Sequence, residues 1–524
     1  MPVKIYDTTL RDGNQARGIS LSLEDKLRIA KKLDELGVHY IEGGWPNPTS
    51  AIDIAFFKKA RDLRLKNSRL AAFGSTCRPK TAPEDDAILQ ALVESGAPVL
   101  TLFGKSWDLH VTEVIKTTLE ENLRMIEQSV AFLKKHCEEL VYDAEHFFDG
   151  FKNNPDYALK TLLAAERGGA DCLVLCDTNG GCLPMELAGI FQSVQKAIKT
   201  PLGIHTHNDA GCAVANTMVA VSLGAVQVQG VMNGFGERCG NANLCSIVPN
   251  LQLKMGLRVL SDEQLRKMTE TSFAVSEIAN ILHDDRQPYV GEAAFAHKGG
   301  AHIDGVLKVA RSFEHIDPAS VGNTRQYVLS DQSGGSAIVE KLQALKPDVN
   351  KKDPAVQKLL AHVKDMEARG YQFEAADGSF NLLMQKELGL YQDPFKFLAF
   401  RVSEELLADG SLYSEATIKV EAGGHVEHTA AEGNGPVSAL DHAIRKALSK
   451  FFPALASVHL VDYKVRVLDG RDGTNAQVRV LITSTDGQES WGTIGVSENI
   501  IQASWIALID SLNYKLAKDQ GKTV

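Results

Sequence analysis

Asp7-Thr8-Thr9-Leu10-Arg11-Asp12-Gly13-Asn14-Gln15 is the stretch on which the reading of this chain turns. A short β-like run, Val3-Lys4-Ile5-Tyr6, leads into it. An amphipathic helix pattern follows, with Leu23, Leu27, Ile29, Ala30, Leu33 and Leu36 on one face. An arginine and an aspartate therefore stand side by side where a first strand gives way to a turn opened by Gly13. Taken alone, such a pair reads as a structural ion pair. Two other stretches change that reading: Gly203-Ile204-His205-Thr206-His207-Asn208-Asp209 and Gly236-Glu237-Arg238-Cys239-Gly240-Asn241.

Outward from the first stretch, a β-like run followed by an amphipathic helix recurs roughly every 30 residues as far as Met255. The strand candidates are residues 4–10, 40–44, 70–74, 99–103, 140–146, 172–177, 202–207 and 226–231. Helical patterns follow them, for example at residues 51–63, 111–136 and 187–198. Eight such units without a hairpin signal predict an α/β fold, a parallel (β/α)8 TIM barrel. An open doubly wound sheet would more often carry a glycine-rich dinucleotide turn after strand one, and none is present. Asp12, Glu42, Glu145, Asp177, Thr178, His205, His207 and Asn233 all fall at or just after strand ends. In a barrel these ends open on one face, where the chemistry is done.

Beyond Met255 the pattern changes. Residues 260–282 read as one long helix, and residues 291–305 are rich in glycine and histidine. Residues 336–345, 355–368 and 382–388 read as helices of a connecting subdomain. After Asp393-Pro394, strands at 417–421, 458–468, 478–484 and 491–496 and helices at 437–451 and 500–516 predict a separate α+β domain. The expected division is a barrel over 1–270, a linker over 271–393 and a C-terminal domain over 394–524.

A chain of 524 residues is too long for one core. Its net charge of -10, without a basic stripe, argues against nucleic acid as a partner. No signal-peptide pattern opens the chain, and no apolar run approaches the ~20 residues of a membrane span, so no membrane is expected. The eight cysteines lack zinc-site spacing and read as reduced thiols of a cytoplasmic protein.

His205 and His207, two apart on a strand, face the same side. Strands one, seven and eight are neighbours when a barrel closes, and one and eight bring Asp12 and Asn241. Two imidazoles, a carboxylate and an amide oxygen form a mixed N/O set suited to Mn²⁺, Mg²⁺ or Zn²⁺. Two open positions would accept the keto and carboxylate oxygens of a 2-oxo acid. Arg11, beside Asp12, is placed to hold a developing alkoxide or enolate.

The stretch 7–15, His205-Thr206-His207-Asn208 and Asn233-Gly234-Phe235-Gly236-Glu237-Arg238-Cys239-Gly240-Asn241 together resemble the acyl-CoA condensing enzymes of the isopropylmalate/homocitrate/citramalate synthase family. The resemblance implies addition of acetyl-CoA to a 2-oxo acid, then thioester hydrolysis, by a homodimer that uses a divalent metal ion. It implies Asp12, His205 and His207 as ligands, with Asn241 beside them. It implies catalytic roles for Arg11, Glu145 and His302, the last in Gly299-Gly300-Ala301-His302-Ile303-Asp304. Thr178 would hold the substrate carboxylate, and His110 lies near a substrate-side histidine.

Some positions depart from the family. Asn14 stands where many relatives have glutamate. Arg325 stands where a family tyrosine aligns, so no catalytic tyrosine is assigned. Glu42-Gly43-Gly44-Trp45-Pro46-Asn47-Pro48 replaces the Gly-Phe-Pro usual after strand two and resembles the longer citramalate-forming subgroup. That subgroup implies pyruvate as the 2-oxo acid. It also implies isoleucine, or second leucine, as an effector bound where Glu432-Gly433-Asn434-Gly435-Pro436 opens a helix. Isopropylmalate or homocitrate synthesis, a related lyase and a non-catalytic metabolite sensor stand as alternatives.

Overall fold

The computed structural model describes residues 2–328, 338–339, 341–343, 346, 348–350, 353–468 and 476–520. The chain forms two compact units, Met1–Phe295 with Ile316–Arg325, and Ala296–His315 with Gln326–Val524.

In the first unit eight parallel strands close into a barrel: β1 Lys4–Asp7, β2 Tyr40–Gly44, β3 Arg69–Ser75, β4 Val99–Lys105, β5 Glu139–Glu145, β6 Cys172–Asp177, β7 Leu202–Thr206 and β8 Gln227–Gly230. Closure comes from β1 on β8, with Lys4 opposite Gln227 and Asp7 opposite Gly230. β2, β6, β7 and β8 are buried along their whole length, as a sheet covered on both faces requires. Tyr6, Tyr40, Ala71, Val99, Val141, Cys172, Val174 and Cys176 fill the interior. The larger apolar core lies between the strands and the surrounding helices.

Those helices are α1 Leu23–Leu36, α2 Ala51–Ala60, α3 Ala87–Ser95, α4 Leu119–Leu133, α5 Phe147–Asn153, α6 Pro155–Gly168, α7 Pro184–Ala197, α8 Ala213–Ser222, α9 Leu244–Pro249, α10 Asp262–Leu265 and α11 Met268–Ile278. α1 shows why they start and stop where they do. Ser22 and Asp25 form a reciprocal capping box, and Gly37 ends the helix in the left-handed region.

Three sequence expectations need correction. The first strand ends at Asp7, because residues 8–12 fold back on themselves. The helix expected over 111–136 is confined to α4; residues 110–114 make a single wide turn, Lys116 is left-handed, and Thr118 caps the new start. The long helix expected over 260–282 is two short ones, interrupted at Arg266–Lys267, where residue 322 packs against the Arg266 carbonyl.

The second unit begins with a two-stranded pairing of β9 Ala296–His297 and β10 Gln326–Tyr327, with α12 Gly300–Lys308 between them in sequence. α13 Pro354–Ala368 matches an expected helix, and α14 Asp377–Glu387 begins five residues before the one expected over 382–388, whereas the one expected over 336–345 falls in part outside the described residues. Two antiparallel sheets follow, β11 Lys396–Leu406 with β12 Leu412–Ala422 and β13 His425–Gly433, and β14 His459–Val467 with β15 Val478–Thr485 and β16 Ser490–Ser497. α15 Pro436–Leu448 and α16 Ile500–Asp519 bury Leu440, Ile444, Leu508 and Leu512 against Ile418, Val420, Val480 and Ile482. Among the described residues no helix is long and apolar enough to cross a membrane.

Candidate active site

The turn after β1 is built on one carbonyl. The amides of Arg11, Asp12 and Gly13 all donate to Thr8 O, at 3.2, 2.9 and 3.1 Å. Gly13 packs closely there, since a Cβ would lie 2.9 Å from Val231 Cγ1 and push that side chain aside. Asn14 serves the turn, accepting from Leu21 N at 2.8 Å. The tight fold sends Arg11 and Asp12 across the strand ends. Arg11 Nε donates to Glu42 Oε2 at 2.6 Å, Nη1 lies 3.2 Å from Asp12 Oδ2, and the guanidinium carbon sits 3.8 Å from the Phe73 ring centre. Tyr6 Oη donates to the other Glu42 oxygen at 2.9 Å, so the buried carboxylate is satisfied on both sides.

Asp12 Oδ2 is 3.4 Å from His205 Nε2 and 4.0 Å from His207 Nε2, and the two Nε2 atoms are 3.1 Å apart. One ligand atom from each of the three buried residues lies within 4.8 Å of the others. The segment carrying Asn241 is zipped to the end of β7 by Asn208 N on Gly240 O and Ala242 N on Thr206 O, both 2.9 Å, with residues 207 and 241 paired between them. Gly240 lets the loop double back on itself, because a Cβ there would meet Gly234 O at 1.9 Å. His207 Nδ1 and Asn241 Oδ1 are buried without hydrogen-bond partners.

Burial pushes the Asp12 carboxyl up, but Arg11, then His205 and His207, outweigh it and hold it below its ordinary value. Burial lowers both imidazoles, His207 to about 3. An ionised carboxylate and two neutral imidazoles converge, with the Asn241 amide beside Asp12, and that donor set fits a divalent cation.

These residues open on a cavity of about 200 Å³. Arg11, Asp12, Glu145, Thr178, His205 and His207 line it, so six of the nine expected site residues meet there. Its apolar wall is Phe73 stacked on Phe103, centroids 5.1 Å apart, with Trp45 edge-on to both. A larger groove of about 710 Å³ beside α1 and α11 is lined by surface lysines and glutamates mixed with Phe273, Ala274 and Ile278 and holds no such donor cluster among the described residues, so volume alone does not pick out the site.

Glu145 is half-buried and pairs with Lys105 Nζ. Thr178 Oγ1 accepts from His146 N at 2.9 Å, which leaves the hydroxyl hydrogen to donate elsewhere. His146 is left-handed, with φ 53, a conformation that turns its amide onto Thr178. Arg238 steadies the same strand end, donating to Thr178 O at 2.7 Å and forking onto Asp209.

The remaining expected residues do not line the cavity. Asn241 lies beside Asp12 and His207 but outside the lining, as does His110. His110 stacks on Trp107 at 5.1 Å and meets His146 edge-on at 4.3 Å; burial first, then His146, lowers its pKa. His302 belongs to the second unit, exposed on α12 with its ring stacked on Phe313 at 4.6 Å. Two polar strand-end residues have structural partners. Asn233 is bonded to Ser272, Ser276 and Gln287, and Asp177 accepts from Cys182 N.

Sequence reasoning passed over Trp45, Phe73, Phe103, Lys105, Asp143 and Gln229, and gave Glu42 no role. Asp143 shares strand-face parity with Glu145, a usable signal. Burial, then Glu42, pushes Asp143 up to about 8, while Arg11 and the Gln229 amide pull it back.

Residues 2–281 match the HMGL-like family, residues 289–371 the homocitrate synthase post-HMGL domain-like family, and residues 374–516 the LeuA allosteric (dimerisation) domain. The chain is 54% identical to the (R)-citramalate synthase of Aquifex aeolicus over 99% of its own length and 98% of the relative's. It is 54% identical to that of Geobacter sulfurreducens over the same shares. To the 2-isopropylmalate synthase of Methanocaldococcus jannaschii it is 31% identical, over 98% and 95%. With the donor triad, the arginine and the aromatic wall in one barrel mouth, these full-length matches place the chain in the HMGL-like family, and within it among the (R)-citramalate synthases.

Proposed function

We propose that the chain condenses acetyl-CoA with pyruvate and water to give (R)-citramalate and free CoA. The observation that carries this reading is the meeting of Arg11, Glu145 and the Asp12–His205–His207 donors in one small cavity closed by Trp45, Phe73 and Phe103. Asp12, His205 and His207, with Asn241 beside them, would hold Mn²⁺, Mg²⁺ or Zn²⁺, which when bound supplies Lewis-acid polarisation of a keto group.

The chain's own residues do the rest. Thr178 donates its hydroxyl hydrogen to the pyruvate carboxylate, and the aromatic wall takes the methyl group. A base, His302 or a water held by Glu145, removes a proton from the acetyl methyl, and the resulting enolate carbon attacks the keto carbon. Arg11, fixed between Glu42 and Asp12, holds the oxygen on which negative charge develops. Protonation of that oxygen and attack of water on the thioester release CoA as its thiol. The product belongs on a route through 2-oxobutanoate to isoleucine in the cytoplasm.

We further propose a homodimer with isoleucine, or second leucine, as effector, bound at the glycine-rich approach to α15, whose first residue is Pro436. The test is release of free thiol from acetyl-CoA with pyruvate, 2-oxobutanoate, 2-oxoisovalerate and 2-oxoglutarate in turn. Pyruvate is expected to give the highest kcat/KM. Preference for 2-oxoisovalerate, or no thiol release with any of them, overturns the reading.

A further inference from the structure

The barrel interior carries a second polar layer next to the donor cluster, contributed by three strands. Asp143 of β5, Gln229 of β8 and His205 of β7 are all buried. Gln229 Nε2 donates to Asp143 Oδ1 at 2.9 Å, and Gln229 Oε1 lies 2.8 Å from His205 Nδ1. An amide has one donating end and one accepting end. With its N–H groups turned to Asp143, it presents only an acceptor to His205. Nδ1 must then carry the imidazole hydrogen, because a lone pair against the carbonyl oxygen would leave two buried acceptors facing each other. Nε2 is left with its lone pair, on the side of Asp12 Oδ2 and His207 Nε2. The opposite tautomer would put a hydrogen on Nε2 and remove a ligand from the cluster.

We propose that Asp143 and Gln229 form a relay that fixes the tautomer of His205 and so sets the affinity of the Asp12–His205–His207 cluster for a divalent cation. Both are positioning residues, acting through His205. The proposal rests on the metal reading of the same cluster given above.

The experiment is calorimetric titration of Mn²⁺ into the full-length, metal-stripped protein. Gln229→Leu keeps the volume and removes the acceptor; Mn²⁺ affinity is expected to fall about 10–100-fold. The double variant Asp143→Asn with Gln229→Glu reverses the bond between positions 143 and 229, an amide now donating to a carboxylate, but keeps an acceptor facing Nδ1–H. Its affinity is expected to stay within about threefold of wild type. A residue that only fills space would give the reverse order, because leucine packs there and an exchanged charge does not. Should Gln229→Leu melt below the assay temperature, Gln229→Met takes its place. Wild-type affinity in the leucine or methionine variant, or a double variant as weak as that single one, overturns the relay. Failure of the wild-type chain to bind Mn²⁺ at all is a separate result, and it overturns the metal reading and the relay together.

Discussion

Arg11 is held on three sides, by Glu42, by Asp12 and by the face of Phe73. A planar fork can meet two carboxylates in its plane while its face lies on a ring; an ammonium cannot. Arg11→Lys is therefore expected to lower kcat by about 10²–10³, the usual cost of losing a preorganised oxyanion donor, with little change in the KM for pyruvate. Steady-state kinetics at varied pyruvate check this. A raised KM with kcat intact would make Arg11 a substrate clamp instead. At this scale the sequence was legible where a residue carries its chemistry in its type and its place at a strand end, as with Asp12, His205 and His207. It was illegible where the role depends on register. Glu145 could be read as the structural partner of Arg11, yet Glu42 takes that place and Glu145 pairs with Lys105. Gln229 matters because β7–β8 pairing sets it opposite His205, and a lone strand does not reveal that pairing.

The loop after β2 shows how an element tunes the site. Asp53 Oδ2 accepts from Trp45 N at 3.2 Å and from Ser50 Oγ at 2.8 Å, while buried Lys26 pairs with the other oxygen. The loop is thus clamped with Trp45 against Phe73 and Phe103. Trp45→Ala is expected to enlarge the apolar end of the cavity and raise kcat/KM for 2-oxobutanoate relative to pyruvate by roughly 10–200-fold, the range one methylene is worth in such a pocket. Competition between the two substrates measures it, and an unchanged ratio would place the methyl group elsewhere. In the second unit, Asp510 of α16 accepts from Ser379 Oγ of α14 at 2.6 Å, and burial pushes its pKa up to about 6. Between about 4 and 6 the folded state then binds more protons than the unfolded, so this group's contribution to stability falls as pH rises. Asp510→Asn is expected to gain stability over wild type across that window and to hold the gain above it, as urea unfolding at pH 4, 5, 6 and 7.5 would record. A gain that is flat across those pH values would assign the effect to packing. The barrel strands were legible because burial on both faces writes them as apolar runs. β11 and β13 were not, because most of their residues are exposed or half-exposed and no alternation marks them, whereas β12 between them buries every second residue from Ser414 to Ala422.

At the scale of the molecule, the proposed reaction draws on two units. The barrel mouth supplies Arg11, Glu145 and the donor triad, while His302 is an exposed residue of α12 in the second unit. An imidazole in bulk water is a poor match for enolate chemistry, because the reaction needs water excluded around the new carbanion. His302 must therefore be covered when it works. The match of residues 374–516 to a dimerisation domain supports a second subunit as the cover. If His302 serves the partner's barrel, each active site combines residues of two chains. His302→Ala and Arg11→Ala subunits are then each inactive alone, but a mixed dimer holds one site with both residues intact. Random exchange at equal concentrations makes half the dimers mixed, with one good site in two. Recovery should approach roughly a quarter of wild-type activity, as expected for a twofold-symmetric dimer. Subunit exchange is verified by mass spectrometry of differently tagged chains before thiol release is assayed. Activity that stays at the level of the single variants after exchange would assign His302 to the barrel of its own chain. Recovery that rises and falls with the fraction of mixed dimers would establish the shared site.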